Sequence, residues 1–348
     1  MKIGNFDLEK DGVYIVAELS ANHNGSLENA LKTIQAAKEA GANAIKLQTY
    51  TPDTITLKCN KKDFIIEGGT IWDGMTLYDL YEWAHTPWDW HDKLFSYAKE
   101  IGIDIFSTPF DKSALDLLSK FDPPAYKIAS FEITDLALIR QAASKGKPVI
   151  LSTGIATFEE IKDAVNICKD EGNNDIILLK CTSSYPAPFE KANLITISDM
   201  AKSFSCTVGF SDHTLGITAP IAAVALGAKL IEKHFILDKS IPSPDVEFSL
   251  EPKEFAEMVK EVRKCEKLLG KVKYEEKNNP SRRFARSLYA VKEIKKGEKF
   301  TLDNVRSIRP GYGLHPKFLE NLLQLNADRD YSPGDPIVIH GWERTYEK

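Results

Sequence analysis

Residues 125–154 read AYKIASFEITDLALIRQAASKGKPVILSTG and contain one complete strand–helix–strand unit. Two short apolar runs, 125–129 and 148–152, have the length and composition of buried strands. Between them, residues 135–145 carry apolar side chains at the spacing of an amphipathic helix. A strand, a helix and a second strand in this order predict a parallel α/β fold.

The same alternation extends in both directions from this unit. The predicted strands are 13–17, 43–47, 103–107, 125–129, 148–152, 175–180, 206–210 and 229–233. The predicted helices are 27–40, 88–101, 114–121, 135–145, 158–171, 192–203, 217–226 and 252–269. Eight such units predict a (β/α)₈ TIM barrel, whose usual length is about 250 residues. A doubly wound sheet is the alternative, but the sequence lacks the G-x-G-x-x-G turn that such sheets often carry.

Composition excludes several classes of function. The chain has 348 residues with 45 Lys+Arg and 50 Asp+Glu, which gives a formal net charge of −5. Neither nucleic acid nor an anionic membrane is expected as the main partner of such an acidic chain. No apolar run approaches the roughly 18 residues that span a bilayer, and the N-terminus lacks the apolar stretch of a signal peptide. The five cysteines contain no C-x-x-C pair, so neither disulfides nor a thiolate zinc site is expected. The predicted location is the cytoplasm.

The periodic pattern ends at residue 269. The sequence then predicts three parts: a barrel domain at 1–270, a charged linker at 271–286 and a small β-rich domain at 287–348. A domain of about 60 residues buries little surface by itself. We therefore expect it to dock on a barrel, either its own or a neighbour's.

Polar side chains follow the predicted strands, where a barrel opens on its catalytic face. They are Glu18, Lys46, Gln48, Ser107, Thr108, Ser130, Glu132, Ser152, Thr153, Thr182, Ser183, Ser184, Ser211, Asp212, His213 and His234. Loops commonly begin with polar residues, which accounts for one or two such runs. It does not account for eight runs that mix Glu, Lys, His and Ser, so we expect one shared site.

Two histidines in this set indicate a metal site. His213 and His234 follow adjacent predicted strands, which lie about 4.8 Å apart, so the two imidazoles can converge on one ion. Two His with oxygen ligands and open positions suit Mn²⁺, Fe²⁺ or Co²⁺ better than structural zinc. Asp212 and Asp245 are nearby carboxylates. Two unrelated histidines in polar loops are the alternative.

Lysines end several predicted strands, namely Lys46, Lys127, Lys180 and Lys233. A lysine at a barrel mouth is either an anion clamp or a Schiff-base nucleophile. The surrounding hydroxyls favour a bound phosphate or carboxylate, whereas lysines whose stems pack while their heads reach water are the alternative. Glu18 and Glu132 would then be the acid–base or hydroxyl-binding carboxylates.

Residues 74–91, GMTLYDLYEWAHTPWDWH, are rich in aromatic side chains. A packing helix is the simpler interpretation, and an aromatic lid over a sugar is the alternative. Tyr185 follows the sixth predicted strand on the catalytic face and is the better candidate for a substrate contact.

Many of these residues lie in motifs that resemble the sialic acid synthase family. The motifs are AE (17–18), NHNG (22–25), KLQT (46–49), FSTPF (106–110), YKIAS (126–130), LSTG (151–154), CTSSYPAP (181–188), GFSDHT (209–214) and EKHF (232–235). The resemblance covers essentially the whole chain, because IKKGE (294–298) and RPG (309–311) are similar to the antifreeze-like (SAF) domain of those enzymes.

Members of that family condense phosphoenolpyruvate with an amino-sugar aldehyde, release phosphate and form a nine-carbon 2-keto acid. The resemblance implies that His213 and His234 hold a divalent metal, with Mn²⁺ first and Mg²⁺ or Co²⁺ as other candidates. The implied phosphoenolpyruvate-binding residues are Lys46, Thr108, Lys127, Ser130, Ser152, Ser183 and Ser211. The residues implied to meet the sugar or a reacting water are Glu18, Gln48, Glu132, Tyr185 and Asp245, with Glu18 as the catalytic carboxylate. A domain-swapped homodimer is also implied, in which Arg309 reaches the sugar of the partner's barrel.

Within the family, the sequence is more similar to the pseudaminic acid synthase branch. Leu19-Ser20 and Leu47 stand where the sialate branch typically has Ile-Gly and Phe. The implied acceptor is 2,4-diacetamido-2,4,6-trideoxy-L-altrose, which is less polar than N-acetylmannosamine. We hypothesise that the aromatic residues of 72–90, Trp88 among them, suit that less polar surface.

Three alternatives remain open from the sequence. The same chemistry on another sugar would give N-acetylneuraminic or legionaminic acid. A metal-independent aldolase would use Lys127 or another rim lysine as a Schiff base. A non-enzymatic sugar-binding protein is the third, suggested by the antifreeze-like segment.

Overall fold

The computed structural model describes residues 1–69, 72–277 and 279–346. The chain divides into two compact units, Met1–Gly270 and the segment from Lys271 onward. Asn278 of the predicted linker and the last two residues of the predicted C-terminal domain lie outside the described residues.

The first unit is a closed barrel of parallel strands. Its strands are β3 (Tyr14–Glu18), β4 (Ala44–Thr49), β5 (Asp104–Pro109), β6 (Tyr126–Ile128), β7 (Val149–Ser152), β8 (Ile176–Cys181), β9 (Thr207–Asp212) and β10 (Leu230–His234). They pair in the order β10-β3-β4-β5-β6-β7-β8-β9. The TIM barrel is therefore confirmed, and the doubly wound alternative is wrong. A short hairpin that the sequence did not predict, β1 (Lys2–Ile3) with β2 (Phe6–Asp7), precedes it.

Helices connect the strands. They are α1 (Leu27–Glu39), α2 (Pro52–Ile55), α3 (Leu77–Ala84), α4 (His91–Ile101), α5 (Lys112–Leu118), α6 (Leu136–Ala143), α7 (Phe158–Asp170), α8 (Thr196–Phe204), α9 (Thr218–Ala225) and α10 (Pro252–Leu269). Side-chain caps set several of their starts. Asp111 accepts hydrogen bonds from the backbone N–H of Ser113 and Ala114, which begins α5 earlier than predicted. Thr157 and Glu160 form a capping box at α7.

Several predicted helix boundaries need correction, among them the start of 192–203, because α8 begins at Thr196. Residues 88–101 are a single 3₁₀ turn, Trp88–Trp90, followed by α4. The end of the predicted helix 114–121 is also a 3₁₀ turn, Ser119–Phe121. Helix α2 was not predicted, whereas α3 lies within residues 74–91, for which a packing helix was the simpler interpretation.

Apolar side chains fill only the N-terminal half of the barrel interior. The inward-facing set includes Val16, Ala44, Phe106, Ala125, Ile150, Leu179 and Leu230. Side chains alternate along a strand, so the residues two positions further on also face inward. Those residues are Glu18, Lys46, Thr108, Lys127, Ser152, Cys181 and Glu232. Along each strand, the inward-facing side chains thus change from apolar to mostly polar within two residues.

The second unit contains a two-stranded antiparallel sheet, β11 (Ser287–Ala290) with β12 (Val305–Ile308), and the short helix α11 (Leu319–Leu322). Its core is a cluster that includes Leu288, Phe300, Leu322 and Tyr331. Across the described parts of both units, no helix is long and apolar enough to cross a membrane.

Candidate active site

A cavity of about 320 Å³ opens at the C-terminal ends of the barrel strands. Every strand or the loop that follows it contributes to the wall. The predicted site residues that line it are Glu18, Lys46, Gln48, Thr108, Lys127, Ser130, Glu132, Ser152, Tyr185, Ser211, His213, His234 and Asp245. The structure therefore brings together residues from all parts of the barrel sequence.

Four buried charged side chains form the centre of the cavity. Lys46 Nζ lies 2.7 Å from Glu18 Oε2 and 3.8 Å from Glu232 Oε1. Lys127 Nζ lies 3.7 Å from the same Glu232 oxygen, which also accepts a hydrogen bond from Ser211 Oγ at 3.0 Å. Burying two ion pairs is costly unless each charge is compensated, so a function is expected for this network.

Glu232 is a site residue that sequence reasoning missed. The signal was present, because Glu232 precedes His234 by two positions in one strand, and residues at that spacing face the same way. If His234 faces the cavity, Glu232 is predicted to face it as well.

The two central carboxylates differ in their proton affinity. Burial raises the pKa of Glu18 to about 7, even though the Lys46 ammonium opposes this rise. Glu232 is equally buried, but Lys127 and Lys46 together with the Ser211 hydroxyl hold its pKa below the usual value. Pairs of carboxylates whose environments separate their pKa values are typical of acid–base sites.

Hydroxyl groups form a second part of the wall beside Lys127. Ser130 Oγ accepts a hydrogen bond from the backbone N–H of Gly154 at 3.0 Å. A Cβ added to Gly154 would lie 2.7 Å from Ser130 Oγ and closer still to Ser183 Oγ. The hydroxyls of Ser152 and Ser183 are buried and lack a hydrogen-bond partner within the described residues. Ser183 itself does not line the cavity. These two hydroxyls are therefore available to hydrogen-bond a bound polar group.

The two predicted metal ligands are neighbours. The ring centroids of His213 and His234 are 5.3 Å apart, and Phe248 packs against both rings. His213 Nδ1 lies 3.0 Å from the carbonyl of Thr182, to which it donates, and this leaves Nε2 for another partner. Burial and the neighbouring positive charge of His213 hold the pKa of His234 well below its usual value.

His234 Nδ1 is buried and has no hydrogen-bond partner among the described residues. Its closest carboxylate is Asp245, whose Oδ2 lies 3.8 Å away. Within the described residues, no group of three or more His, Cys, Asp or Glu side chains converges as a metal site. The residues present therefore fit a cation held by the two imidazoles, with the remaining coordination positions left to water or substrate.

An apolar wall forms another part of the cavity lining. It is built by the long connection between β4 and β5 and includes Ile55, Trp72, Leu80, Tyr81 and Ala84. The ring centroid of Trp72 lies 5.8 Å from that of Tyr185, which also lines the cavity.

Trp88 does not line this cavity, so the hypothesis about the aromatic residues of 72–90 stays a prediction that now concerns Trp72 and Tyr81. The indole N–H of Trp88 donates to the carbonyl of Tyr50 at 3.1 Å, and the ring lies outside the cavity. The packing interpretation applies to Trp88, whereas Trp72 and Tyr81 occupy the place expected of an aromatic lid.

Two of the four rim lysines also lie outside the cavity. Lys180 Nζ turns back to the carbonyl of Cys181 at 2.6 Å. Lys233 Nζ is fully buried and pairs with Asp212 Oδ2 at 2.6 Å. Both residues differ by one position from an inward-facing residue, so the pleat directs them to the outer face of the barrel. Arg309 lies in the second unit, just after β12.

Glu132 and Gln48 complete the polar lining. Burial raises the pKa of Glu132 to about 7, and one of its carboxylate oxygens has no hydrogen-bond partner within the described chain. Gln48 Nε2 donates to Glu18 Oε1 at 3.1 Å, which fixes the Glu18 carboxylate. The cavity therefore offers two cations, free hydroxyls, two imidazoles and carboxylates with raised pKa values.

Comparison with known proteins identifies the family. Residues 33–274 match the model of the NeuB family, and residues 285–340 match that of the SAF domain. A pseudaminic acid synthase of Campylobacter jejuni is 55% identical, with 97% of this chain and 98% of the relative covered. A pseudaminic acid synthase of Helicobacter pylori is 46% identical, with 95% and 98% covered.

Solved structures agree with the sequence comparison. A spore coat polysaccharide biosynthesis protein of Bacillus subtilis superimposes with a TM-score of 0.67 at 38% identity, over 97% of both chains. An N-acetylneuraminic acid synthetase of Leptospira borgpetersenii gives a TM-score of 0.71 at 35% identity, over 79% of this chain and 92% of the other. Since the family model covers most of the chain and these relatives match nearly all of it, the chain belongs to the NeuB family and carries a SAF domain at its C-terminal end.

Proposed function

We propose that this chain catalyses the pseudaminic acid synthase reaction. It condenses phosphoenolpyruvate with 2,4-diacetamido-2,4,6-trideoxy-β-L-altrose and water to give pseudaminic acid and phosphate. The observation that carries the proposal is the near full-length match to two proteins named as pseudaminic acid synthases. The cavity supports it, because one pocket combines an anion-binding half, two imidazoles and an apolar wall.

Phosphoenolpyruvate binds in the half of the cavity formed by the lysines and hydroxyls. Lys46 and Lys127 supply positive charge for its phosphate and carboxylate. The proposed hydrogen-bond donors are Thr108, Ser130, Ser152, Ser183 and Ser211. The unpartnered hydroxyls of Ser152 and Ser183 support this assignment, since buried polar groups are normally satisfied by a protein group, water or ligand.

His213 and His234 hold a divalent metal ion, with Mn²⁺ as the first candidate and Mg²⁺ or Co²⁺ as the others. The neutral, unpartnered Nδ1 of His234 and the adjacent His213 ring support this role. When bound, the ion supplies Lewis-acid polarisation of the acceptor aldehyde.

The chemical steps balance without any further reactant, because the alkoxide formed from the aldehyde oxygen takes the proton lost by the attacking water, and the C2 hydroxyl gives its proton to the departing phosphate. C3 of phosphoenolpyruvate forms a bond to the aldehyde carbon, and an oxocarbenium-like centre develops at C2. Water adds to C2, and the tetrahedral intermediate expels phosphate through cleavage of the C2–O bond. Glu18 orients and deprotonates this water. Its pKa near 7 is the value that suits a general base at neutral pH.

The acceptor lies between Gln48, Glu132, Tyr185 and Asp245, with its C6 methyl and second acetamido group against the apolar wall. A 6-deoxy sugar gains from that wall because burying a methyl group is favourable, at about 0.8 kcal/mol. N-acetylmannosamine, with a hydroxyl at C6, gains less.

The enzyme acts as a domain-swapped homodimer in the cytoplasm, where phosphoenolpyruvate is formed. Apolar side chains in the loops at the barrel mouth support the dimer. Leu57, Phe131, Ile155, Phe189 and Leu215 are between 48% and 63% exposed, and such clusters mark interaction surfaces. The partner's second unit covers this mouth, and Arg309 of the partner subunit reaches the sugar.

Phosphate release from phosphoenolpyruvate, measured with each candidate sugar, tests the proposal. With Mn²⁺ present, we expect turnover with the diacetamido-trideoxy-altrose, weak turnover with N-acetylmannosamine, and loss of both after EDTA. Preference for N-acetylmannosamine or for the legionaminic acid precursor would keep the reaction and change the acceptor. No phosphate from any sugar would contradict the synthase reaction, and a borohydride-trapped adduct that forms in EDTA would favour the Schiff-base aldolase.

The apolar wall gives a separate prediction about acceptor choice. Trp72→Ala removes an aromatic face from the wall, and we expect kcat/KM for the diacetamido sugar to fall about tenfold relative to that for N-acetylmannosamine. Trp88→Ala is the matched control, because it deletes an indole that lies outside the cavity. An equal loss on both sugars with Trp72→Ala would remove its role in specificity.

A further inference from the structure

Asn22 belongs to the NHNG motif, which the proposed chemistry does not use. The side chain is completely buried and does not line the cavity. It lies in the loop after β3, and its contacts are with residues 235–249, more than 200 positions later in the chain.

Every hydrogen-bonding atom of the Asn22 amide that the structure places has a partner in that distant segment. Nδ2 donates to the carbonyl of Phe235 and to Ser249 Oγ, each at 2.9 Å. Oδ1 accepts from Ser243 Oγ at 2.5 Å. One side chain thus joins the loop after β3 to the start, middle and end of the loop after β10.

The two serines carry the connection to Asp245. Ser243 Oγ accepts from the backbone N–H of Asp245 at 3.2 Å, and Ser249 Oγ donates to the backbone carbonyl of Asp245 at 2.6 Å. The peptide groups on both sides of Asp245 are therefore each one hydroxyl away from Asn22. This arrangement fixes the Asp245 backbone and, with it, the direction of the side chain.

The Asp245 carboxylate points into the acceptor half of the cavity. Its Oδ2 accepts from the backbone N–H of Ala21 at 3.4 Å and lies 3.8 Å from His234 Nδ1. We propose that Asn22 is a positioning residue, which holds Asp245 beside His234 and so serves the acceptor and metal half of the site. The proposal rests on the proposed function of the cavity.

The geometry separates this role from phosphoenolpyruvate binding. Lys127, Ser130 and Ser152 lie on β6, β7 and the loop between them, and none of them hydrogen-bonds to the polar cluster of Asn22, Ser243, Ser249 and Asp245. Replacement of Asn22 should therefore weaken the binding of the acceptor and the metal and leave phosphoenolpyruvate binding unchanged.

The test compares Asn22→Ala with Asn173→Ala in the full-length enzyme. Asn173 is a matched control, since it is buried and its Nδ2 donates to two backbone carbonyls, those of Ala143 and Lys147. It precedes β8 at the end of the barrel opposite the cavity. Asn22→Ala should lower kcat/KM for the sugar and the affinity for Mn²⁺, each about 10- to 100-fold, as expected for residues that orient metal-site groups. KM for phosphoenolpyruvate should change less than about twofold, and Asn173→Ala should change none of these values.

Ser243→Ala is a milder second variant, which removes one of the two hydroxyl links. We expect the same pattern at about fivefold, the equivalent of one hydrogen bond. Equal losses for sugar and phosphoenolpyruvate, or unchanged Mn²⁺ affinity with Asn22→Ala, would contradict the positioning role. A wild-type enzyme that releases no phosphate with any sugar would instead contradict the proposed function, while Mn²⁺ binding to the two variants would still test the role of Asn22.

Discussion

Lys127→Met is expected to lower kcat/KM for phosphoenolpyruvate by about 10²- to 10³-fold, the usual loss when a buried group that stabilises developing anionic charge is removed. Lys127 is 2% exposed, and its ammonium forms an ion pair with Glu232. Methionine has a similar length but no charge, so the bound phosphoenolpyruvate would face Glu232 with only Lys46 to balance it. Steady-state phosphate release, with phosphoenolpyruvate varied at saturating sugar, gives the measurement.

Lys180→Met is the control for this experiment. Lys180 also ends a barrel strand, but its ammonium binds the carbonyl of Cys181 outside the cavity, so activity should stay within about threefold of the wild type if packing alone is changed. Similar losses in the two variants, with both proteins folded, would show that strand-end lysines matter for packing alone. Lys127→Met would also inactivate an enzyme that uses Lys127 as a Schiff base. Borohydride trapping of the wild type distinguishes the two roles, because only a Schiff base gives a covalent adduct.

The contrast between these lysines explains how far the sequence could predict the site. The order of strands and helices could be predicted because the apolar runs and their spacing are regular. The sequence could not predict whether a given strand residue faces the barrel interior or the surrounding helices. The strands of a parallel barrel are buried on both sides and therefore lack apolar–polar alternation. Lys46 and Lys127 therefore looked the same as Lys180 and Lys233 in the sequence.

Other parts of the site depend on distant contacts. Trp72 and Trp88 occur in one aromatic stretch without a clear period, and only the fold of the β4–β5 connection places the first at the cavity and the second against Tyr50. Asn22 and Ser243 are more than 200 residues apart in the chain. No local pattern links such residues, so their cooperation becomes visible only when the barrel closes.

The buried charges of the cavity also link donor binding to the protonation of Glu18. Lys46 and Lys127 are held by Glu18 and Glu232 before any substrate is present. In the proposed donor complex, phosphoenolpyruvate would add negative charge to this group and so favour protonation of Glu18, whose pKa is already raised to about 7. Only the ionised fraction of Glu18 could then act as the proposed general base, so donor binding and the protonation of Glu18 are electrostatically coupled.

His234→Gln is expected to abolish measurable affinity for Mn²⁺ and to reduce phosphate release by about 10³-fold, because Lewis-acid activation contributes several kcal/mol to such steps. Glutamine keeps a polar side chain beside Asp245 and Phe248 but lacks the imidazole lone pair. Manganese electron paramagnetic resonance measures the affinity, and thermal unfolding checks that the barrel is intact.

His91→Gln is the matched control for the loss of an imidazole. His91 is fully buried at the start of α4 and bonds Thr49 Oγ1 of β4 at 2.7 Å through Nε2, but it does not line the cavity. Its replacement should leave Mn²⁺ affinity unchanged, whatever its cost in stability. If His234→Gln bound Mn²⁺ as the wild type does and still lost activity, the imidazole would act on the substrate directly. EDTA would then leave wild-type turnover intact, whereas a metal held by His213 and His234 requires that the chelator and the substitution have the same effect.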